Sequence, residues 1–85
     1  MTIIYHKEFI KTFKKLSPKQ KKRFKEKLLL LNQDEFHPLL NNHPLTGKYL
    51  GYRSINVTGD LRALYKKLAD VVIFVIIDKH SNLYG

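Results

Sequence analysis

Five side chains in this 85-residue sequence are of the types that metal-free RNA cleavage requires: His43, Asp60, Arg62, His80 and Tyr84. Attack of a ribose 2′-OH on the adjacent phosphate needs a base for the hydroxyl. It also needs an acid for the leaving 5′-oxygen and cations for the charge that develops at phosphorus. An imidazole titrating near neutrality can take either proton job. His43 precedes Pro44, which biases it to extended backbone in a loop; an exposed loop histidine is the plainer reading. His80 follows the last apolar run, near the C-terminal end of the sequence. Asp60 sits in a turn, where Asp is common for local reasons, although a carboxylate there can orient a histidine or accept a proton. Arg62 lies among Leu61, Ala63, Leu64 and Tyr65, so it needs a partner or an open face. Phosphate is a natural one, because a guanidinium binds it bidentately. Tyr84 can stack on a base or bond a phosphate, or simply pack against the sheet.

Lys48, Arg53 and Lys79 are the further candidates for RNA contact. Arg53 alternates with Ile55 and Val57, so its stem can instead cover the core. His6 and His37 have no supporting motif and read as structural. There is no Gly-rich nucleotide loop, no zinc-type His/Cys spacing and no H-E-x-x-H. The four histidines are scattered and cysteine is absent. No metal and no cofactor are expected, and a disulfide framework is excluded.

These residues need a scaffold. Thr2-Ile3-Ile4-Tyr5 reads as an edge strand. Phe9, Ile10, Phe13 and Leu16 recur at helical spacing, which predicts a helix over residues 7–15. Ser17, Pro18 and Gln20 suit N-cap, N1 and N3 of a second helix ending near Asn32. The pair reads as a helical hairpin, apolar inside and basic outside. Residues 34–47 carry Pro38, Asn41, Asn42, Pro44 and Gly47 and read as a loop. Strands follow over residues 52–57, 61–68 and 71–77. Thr58-Gly59-Asp60 is a turn in which Gly59 can take positive φ, and Ala69-Asp70 is a second tight connection. The apolar run 71–77 predicts a central strand. The expected fold is α+β in the order β-α-α-β-β-β, an antiparallel sheet packed against the hairpin. Residues 1–85 form one domain, without repeats or a dividing linker.

The net charge is +9. Ten of the 16 Lys and Arg residues fall between Lys7 and Lys27, opposed only by Glu8 and Glu26. Such a field concentrates polyanions: nucleic acid, an acidic protein or an anionic surface. The apolar runs are too short to span a bilayer. No basic-then-apolar segment with a cleavage site opens the sequence, so no signal peptide is expected. A cytoplasmic setting fits.

The motifs His43-Pro44-Leu45-Thr46-Gly47, Gly51-Tyr52-Arg53, Arg62-Ala63-Leu64-Tyr65-Lys66 and His80-Ser81-Asn82-Leu83-Tyr84-Gly85 together resemble the RelE/ParE toxin superfamily, and within it the YafQ-like mRNA interferases. The resemblance implies a type II toxin that cleaves mRNA in the ribosomal A site, with an acidic antitoxin as partner in a hetero-oligomer. It implies a compact sheet with two helices packed on it. It maps His43 to the family's loop histidine, Asp60 to its turn aspartate, His80 to its C-terminal histidine and Tyr84 to its near-terminal aromatic. Arg62 corresponds to the strand arginine of the broader RelE group. Asn56 stands where the pattern has a histidine, Leu61 where it has a tryptophan, and Ile76 where it has a phosphate-steadying arginine; Lys79 or Arg53 are the expected stand-ins for that charge. Two other readings follow from the same residues. One is a ParE-like or degenerate relative that acts by protein binding; the other is a nucleic-acid-binding domain held by its basic helices.

Overall fold

The computed structural model describes residues 1–84. Two helices, α1 (Lys7–Lys14) and α2 (Pro18–Gln33), cover one face of a five-stranded sheet. The strands are β1 (Thr2–Tyr5), β2 (His43–Pro44), β3 (Arg53–Asn56), β4 (Leu61–Leu68) and β5 (Val71–Lys79), in spatial order β1-β5-β4-β3-β2. A short helix, α3 (His80–Tyr84), follows β5. Gly85, the last residue of the C-terminal motif, lies outside the described residues.

The helix starts follow from their caps. His6 Nδ1 accepts from the Glu8 N–H at 3.1 Å and caps α1. Ser17 and Gln20 form the reciprocal capping box expected from their spacing, at 3.1 and 2.9 Å, with Pro18 at N1. His37 Nδ1 likewise accepts from Leu39 N–H, capping a 3₁₀ turn over Pro38–Leu40. Two of the four histidines are thus spent on backbone capping.

The aromatic residues of α1, α2 and β5 interlock. Phe9, Phe24 and Phe74 are buried, with ring centroids 5.2–5.4 Å apart. Ile55, Ala63, Tyr65, Val72 and Ile77 complete this core from the sheet. Truncating one of these rings to alanine costs about 3–5 kcal/mol, a large part of what a small domain has. A second, smaller cluster, Leu45, Leu64 and Leu83, lies on the other face, with Tyr49, Tyr52, Val75 and Ile76 against it.

The sheet is mixed, which corrects the antiparallel expectation: β1 pairs with β5 in parallel, Thr2 opposite Val71 through Tyr5 opposite Phe74. The helical hairpin leaves room for the crossover a parallel pair requires. Beyond Phe74, α1 takes over that edge of β5, where the Ile77 N–H donates to Thr12 Oγ1 at 3.2 Å. Residues 34–47 are more ordered than a loop; they hold the 3₁₀ turn and the two-residue strand β2. Gly59 does not use positive φ. Among the described residues the left-handed positions are Asn41, Ala69, Gly47 and Gly51.

One irregularity sets which side chains share a face. Leu64 pairs with Ile76 and Tyr65 with Phe74, so Val75 is an extra residue on β5. This bulge turns Val75 and Ile76 to the same side. Val72, Phe74 and Ile77 keep to the helix side.

Candidate active face and family

The face turned away from α1 and α2 collects most of the candidate residues. Register gives its rows. His43 lies opposite Ser54, Ser54 opposite Leu64, and Leu64 opposite Ile76. The next row is Asn56, Arg62 and Asp78. Directly opposed residues point to the same side of a sheet, so all seven share this face.

His43 is half-buried on the edge strand. Its Nδ1 lies 2.7 Å from the Asn41 carbonyl oxygen. A carbonyl only accepts, so the neutral ring carries its proton on Nδ1 and keeps the Nε2 lone pair free. Asn41 itself sits at φ 45°, a left-handed position that asparagine tolerates.

Asp60, Arg62, His80 and Tyr84 gather at the other side of the face. The His80 N–H donates to the Asp60 carbonyl at 2.8 Å, which joins the start of α3 to the β3–β4 turn. The exposed His80 ring lies 4.7 Å from the Tyr84 ring, and Tyr84 meets Tyr49 edge-on at 6.1 Å. Buried Leu83 anchors α3 to Leu45 and Leu64. Arg62 Nη1 donates to the carbonyls of Thr58, Gly59 and Leu61 at 3.1–3.3 Å. Its guanidinium therefore braces the Asp60 turn, while Nη2 and Nε make no hydrogen bond among the described residues. Three strand spacings, about 14 Å of backbone, separate the β2 and β5 edges of the face. The histidines therefore form no contact pair; they stand on either side of it.

The cations divide differently from the expectation. Arg53 and Lys79 both fall on the helix side. Arg53 Nε donates to Asn42 Oδ1 at 2.8 Å, and its guanidinium lies over the Phe36 ring. Lys79, opposite Leu61, lines a cleft with Thr12, Lys15 and Gln20. Neither lines the cavity beside Ile76. Lys48 does: its Nζ lies 5.1 Å over the Tyr49 ring, and it lines a cavity of about 320 Å³ together with Ile76, Tyr49, Tyr52 and Glu8. It also borders the adjoining cavity under Asn82 and Tyr84. Lys66, with Nζ 6.0 Å over Tyr52, is a second cation of this face that sequence reading passed over. Asp78 was missed as well; its Oδ1 accepts from Asn82 Nδ2 at 3.0 Å and from the Lys79 N–H at 2.8 Å. Alternation from Arg62 would have found Lys66. Asp78 required the bulge. Ser54 Oγ and Asn56 Oδ1 are buried on this face without a hydrogen-bond partner among the described residues.

A polar network holds the β2 edge from behind. Asn42 Nδ2 donates to Tyr65 Oη at 2.7 Å and to the Glu35 carbonyl at 2.9 Å. Tyr65 Oη donates to Glu35 Oε2 at 2.9 Å, and Lys67 pairs with Oε1 at 2.7 Å. Burial opposes ionisation of Glu35, but the bonds from Lys67 and Tyr65 and the charges of Lys67 and Arg53 outweigh it. Its carboxyl is held below the usual value. Burial first, then the Glu35 carboxylate, push the Tyr65 phenol up to about 12.

Comparison with known proteins gives this geometry a context. Residues 1–85 match the family model described as "Bacterial toxin of type II toxin-antitoxin system, YafQ". The chain belongs to the YafQ toxin family. A crystal structure of Escherichia coli YafQ superposes with a TM-score of 0.76 at 25% identity, covering 98% of this chain and 97% of that one. YafQ in the E. coli DinJ–YafQ complex gives 0.74 at 26% identity, with 98% and 97% covered. A YoeB/ParE toxin from Agrobacterium tumefaciens shares the fold, with a TM-score of 0.78 at 15% identity over 94% of this chain and 99% of that one. No curated protein sequence matches. Asn56, Leu61 and Ile76 are the positions at which the resemblance implies other residues. The structure puts Asn56 and Ile76 on the candidate face and buries Leu61 in the helix-side core.

Proposed function

We propose that this toxin is an endoribonuclease that cuts mRNA in the ribosomal A site. The observation that carries the reading is the arrangement of two imidazoles on opposite sides of one face, with cations between them. A strand lying across the face presents its 2′-OH toward one histidine and its 5′-oxygen toward the other. The 2′-oxygen forms a bond to phosphorus, the P–O5′ bond breaks, and the products are a 2′,3′-cyclic phosphate and a 5′-hydroxyl. One imidazole takes the proton of the 2′-OH and the other gives one to the departing oxygen. His43 offers a free Nε2, and His80 is placed by its backbone bond to Asp60. The unengaged nitrogens of Arg62, with Lys48 and Lys66, face the phosphate charge. Tyr84 and Tyr49 give a base an aromatic surface on which to stack.

An acidic antitoxin is the proposed protein partner; E. coli YafQ has been solved with DinJ as a toxin–antitoxin complex. A groove of about 340 Å³ between α1 and α2 suits it. Its floor is Phe9, Ile10, Phe13 and Phe24, and Lys14 and Lys25 stand at its rim. A ribosomal target would place the protein in the cytoplasm; no described helix is long and apolar enough to cross a membrane.

The test is His80→Ala, expressed without an antitoxin, with mRNA 3′ ends mapped on translating ribosomes. Wild type is expected to arrest growth and give cuts within codons, and the variant to lose about 10²-fold or more in cleavage. Cleavage by the variant at the wild-type rate would end the assignment. The half-buried, apolar setting of Ile76 favours a second reading, a toxin that acts by binding alone. That reading predicts no new 3′ ends from wild type at any concentration.

A further inference from the structure

A surface groove of about 540 Å³ lies outside the candidate face. It runs between α2 and the β3–β4 turn. Lys19, Arg23 and Lys27 line one wall, and Asn56, Thr58 and Gly59 line the other. The three cations are four residues apart on one helix, so they follow each other at about 6 Å along its axis. That is the order of the separation between neighbouring phosphates on an extended single strand. Among the described residues, only Arg23 of the three has an acidic neighbour, Glu26 at 3.6 Å, and both are half-exposed, so the pair neutralises little.

The groove is continuous with the candidate face. Asn56 lines the groove and lies directly opposite Arg62. The turn that forms its far wall is the turn that carries Asp60 and receives Arg62 Nη1. A strand leaving the face past Asp60 enters a groove walled by Lys19, Arg23 and Lys27. We infer that this groove is a track for the sugar–phosphate backbone of RNA flanking the cleaved bond, with Lys19, Arg23 and Lys27 on successive phosphates. The inference rests on the RNA-directed reading of the adjoining face. A protein segment is the poorer occupant. Apart from exposed Leu39 and buried Val57, the lining offers no apolar floor, whereas the groove between α1 and α2 is lined mainly by aromatic and aliphatic side chains.

The test uses the full chain carrying His80→Ala, so that binding is read without cleavage. Fluorescence anisotropy with a labelled single-stranded RNA of about a dozen nucleotides is followed across a salt series. A triple variant, Lys19→Gln/Arg23→Gln/Lys27→Gln, removes the row. A control, Lys7→Gln/Lys11→Gln/Lys22→Gln, removes the same charge from positions lining neither groove. Each phosphate contact on a single strand contributes about 0.7 to the slope of log affinity against log salt, so the groove variant is expected to lose about 2. The control is expected to keep nearly the full slope. Equal losses in the two variants, or no loss in the groove variant, would overturn the track. So would a groove variant that keeps its RNA slope but loses affinity for an acidic antitoxin peptide, because that outcome assigns the groove to protein. If wild type shows the groove-dependent slope yet gives no cleavage on ribosomes, the activity reading fails and the track stands. Circular dichroism is expected to show that both variants keep the helices, since Lys19, Arg23, Lys7, Lys11 and Lys22 are exposed and Lys27 is half-buried.

Discussion

Asn42→Ala tests whether the network behind the sheet holds the catalytic edge in front of it. The Asn42 side chain makes three bonds: to the Glu35 carbonyl, to Tyr65 Oη and from Arg53 Nε. A hydrogen bond contributes about 1 kcal/mol net, more when one partner is charged, as Arg53 is. The site is half-buried, so the expected loss is about 2–3 kcal/mol. Total stability for a chain of this size is on the order of 4–13 kcal/mol. The variant should fold, with a urea midpoint clearly lowered and an unchanged m-value. The loss should also be local. Asn42 precedes His43, so amide exchange over residues 39–45 should speed up before exchange in β4 and β5 does. Cleavage should fall further than the folded fraction does, because the freed strand no longer fixes the His43 imidazole. A urea shift below about 0.5 kcal/mol with unchanged exchange in residues 39–45 would refute the argument. It would mean that β2 is held by its pairing with β3 and that the network is incidental.

Tyr65 makes the same network sensitive to alkali. Its folded pKa is raised from 10.0 to about 12, so its contribution is complete below pH 10 and lost as pH rises through 12. Two units correspond to about 3 kcal/mol. Tyr65→Phe should abolish that alkaline loss, and the tyrosinate absorbance missing from the variant should have its midpoint near 12. The lowered pKa of Glu35 works the other way. Its contribution is present above the usual carboxylate value of 4.5 and is lost as pH falls through the depressed folded value. Glu35→Gln should therefore flatten the acid limb of stability against pH, as read by urea unfolding below pH 5. Ala69 holds φ 52° in the β4–β5 connection, so Ala69→Gly should raise stability by about 0.5–1 kcal/mol in thermal unfolding. Lys48→Ala should lower single-turnover cleavage by about 10²-fold at saturating ribosome, whereas Lys79→Ala should leave it unchanged.

What the sequence showed clearly was whatever is decided within a few residues. The Ser17–Gln20 box and the strand at Thr2–Tyr5 were legible because their causes are local. Strand direction was not, because nothing near Thr2 states that it will lie parallel to Val71. The candidate face was half legible. His43, Asp60, Arg62, His80 and Tyr84 sit on or beside it, but Arg53 and Lys79 do not. The continuous apolar run of β5 concealed the reason. Every residue from Val71 to Ile77 can be buried on either side, so the run carries no sign of the bulge at Val75. That bulge fixes the side on which Asp78 and Lys79 emerge. The helix at His80 was missed because five residues are too few for a periodic signal, and α3 is held by one tertiary anchor, Leu83.

The pairing of β1 with β5 also has a consequence in time. β1 is made well before its partner β5, since Thr2 pairs with Val71. At 5–20 residues per second, roughly 3–14 s of synthesis separates them. Until β5 exists, β1 and β4 each lack the neighbour between them, and neither His80 nor Tyr84 has been made. A nascent chain ending at Asp70 should therefore show helical hairpin signals without the protected sheet, when followed by amide exchange on stalled ribosomes. The sheet closes only once β5 has been made.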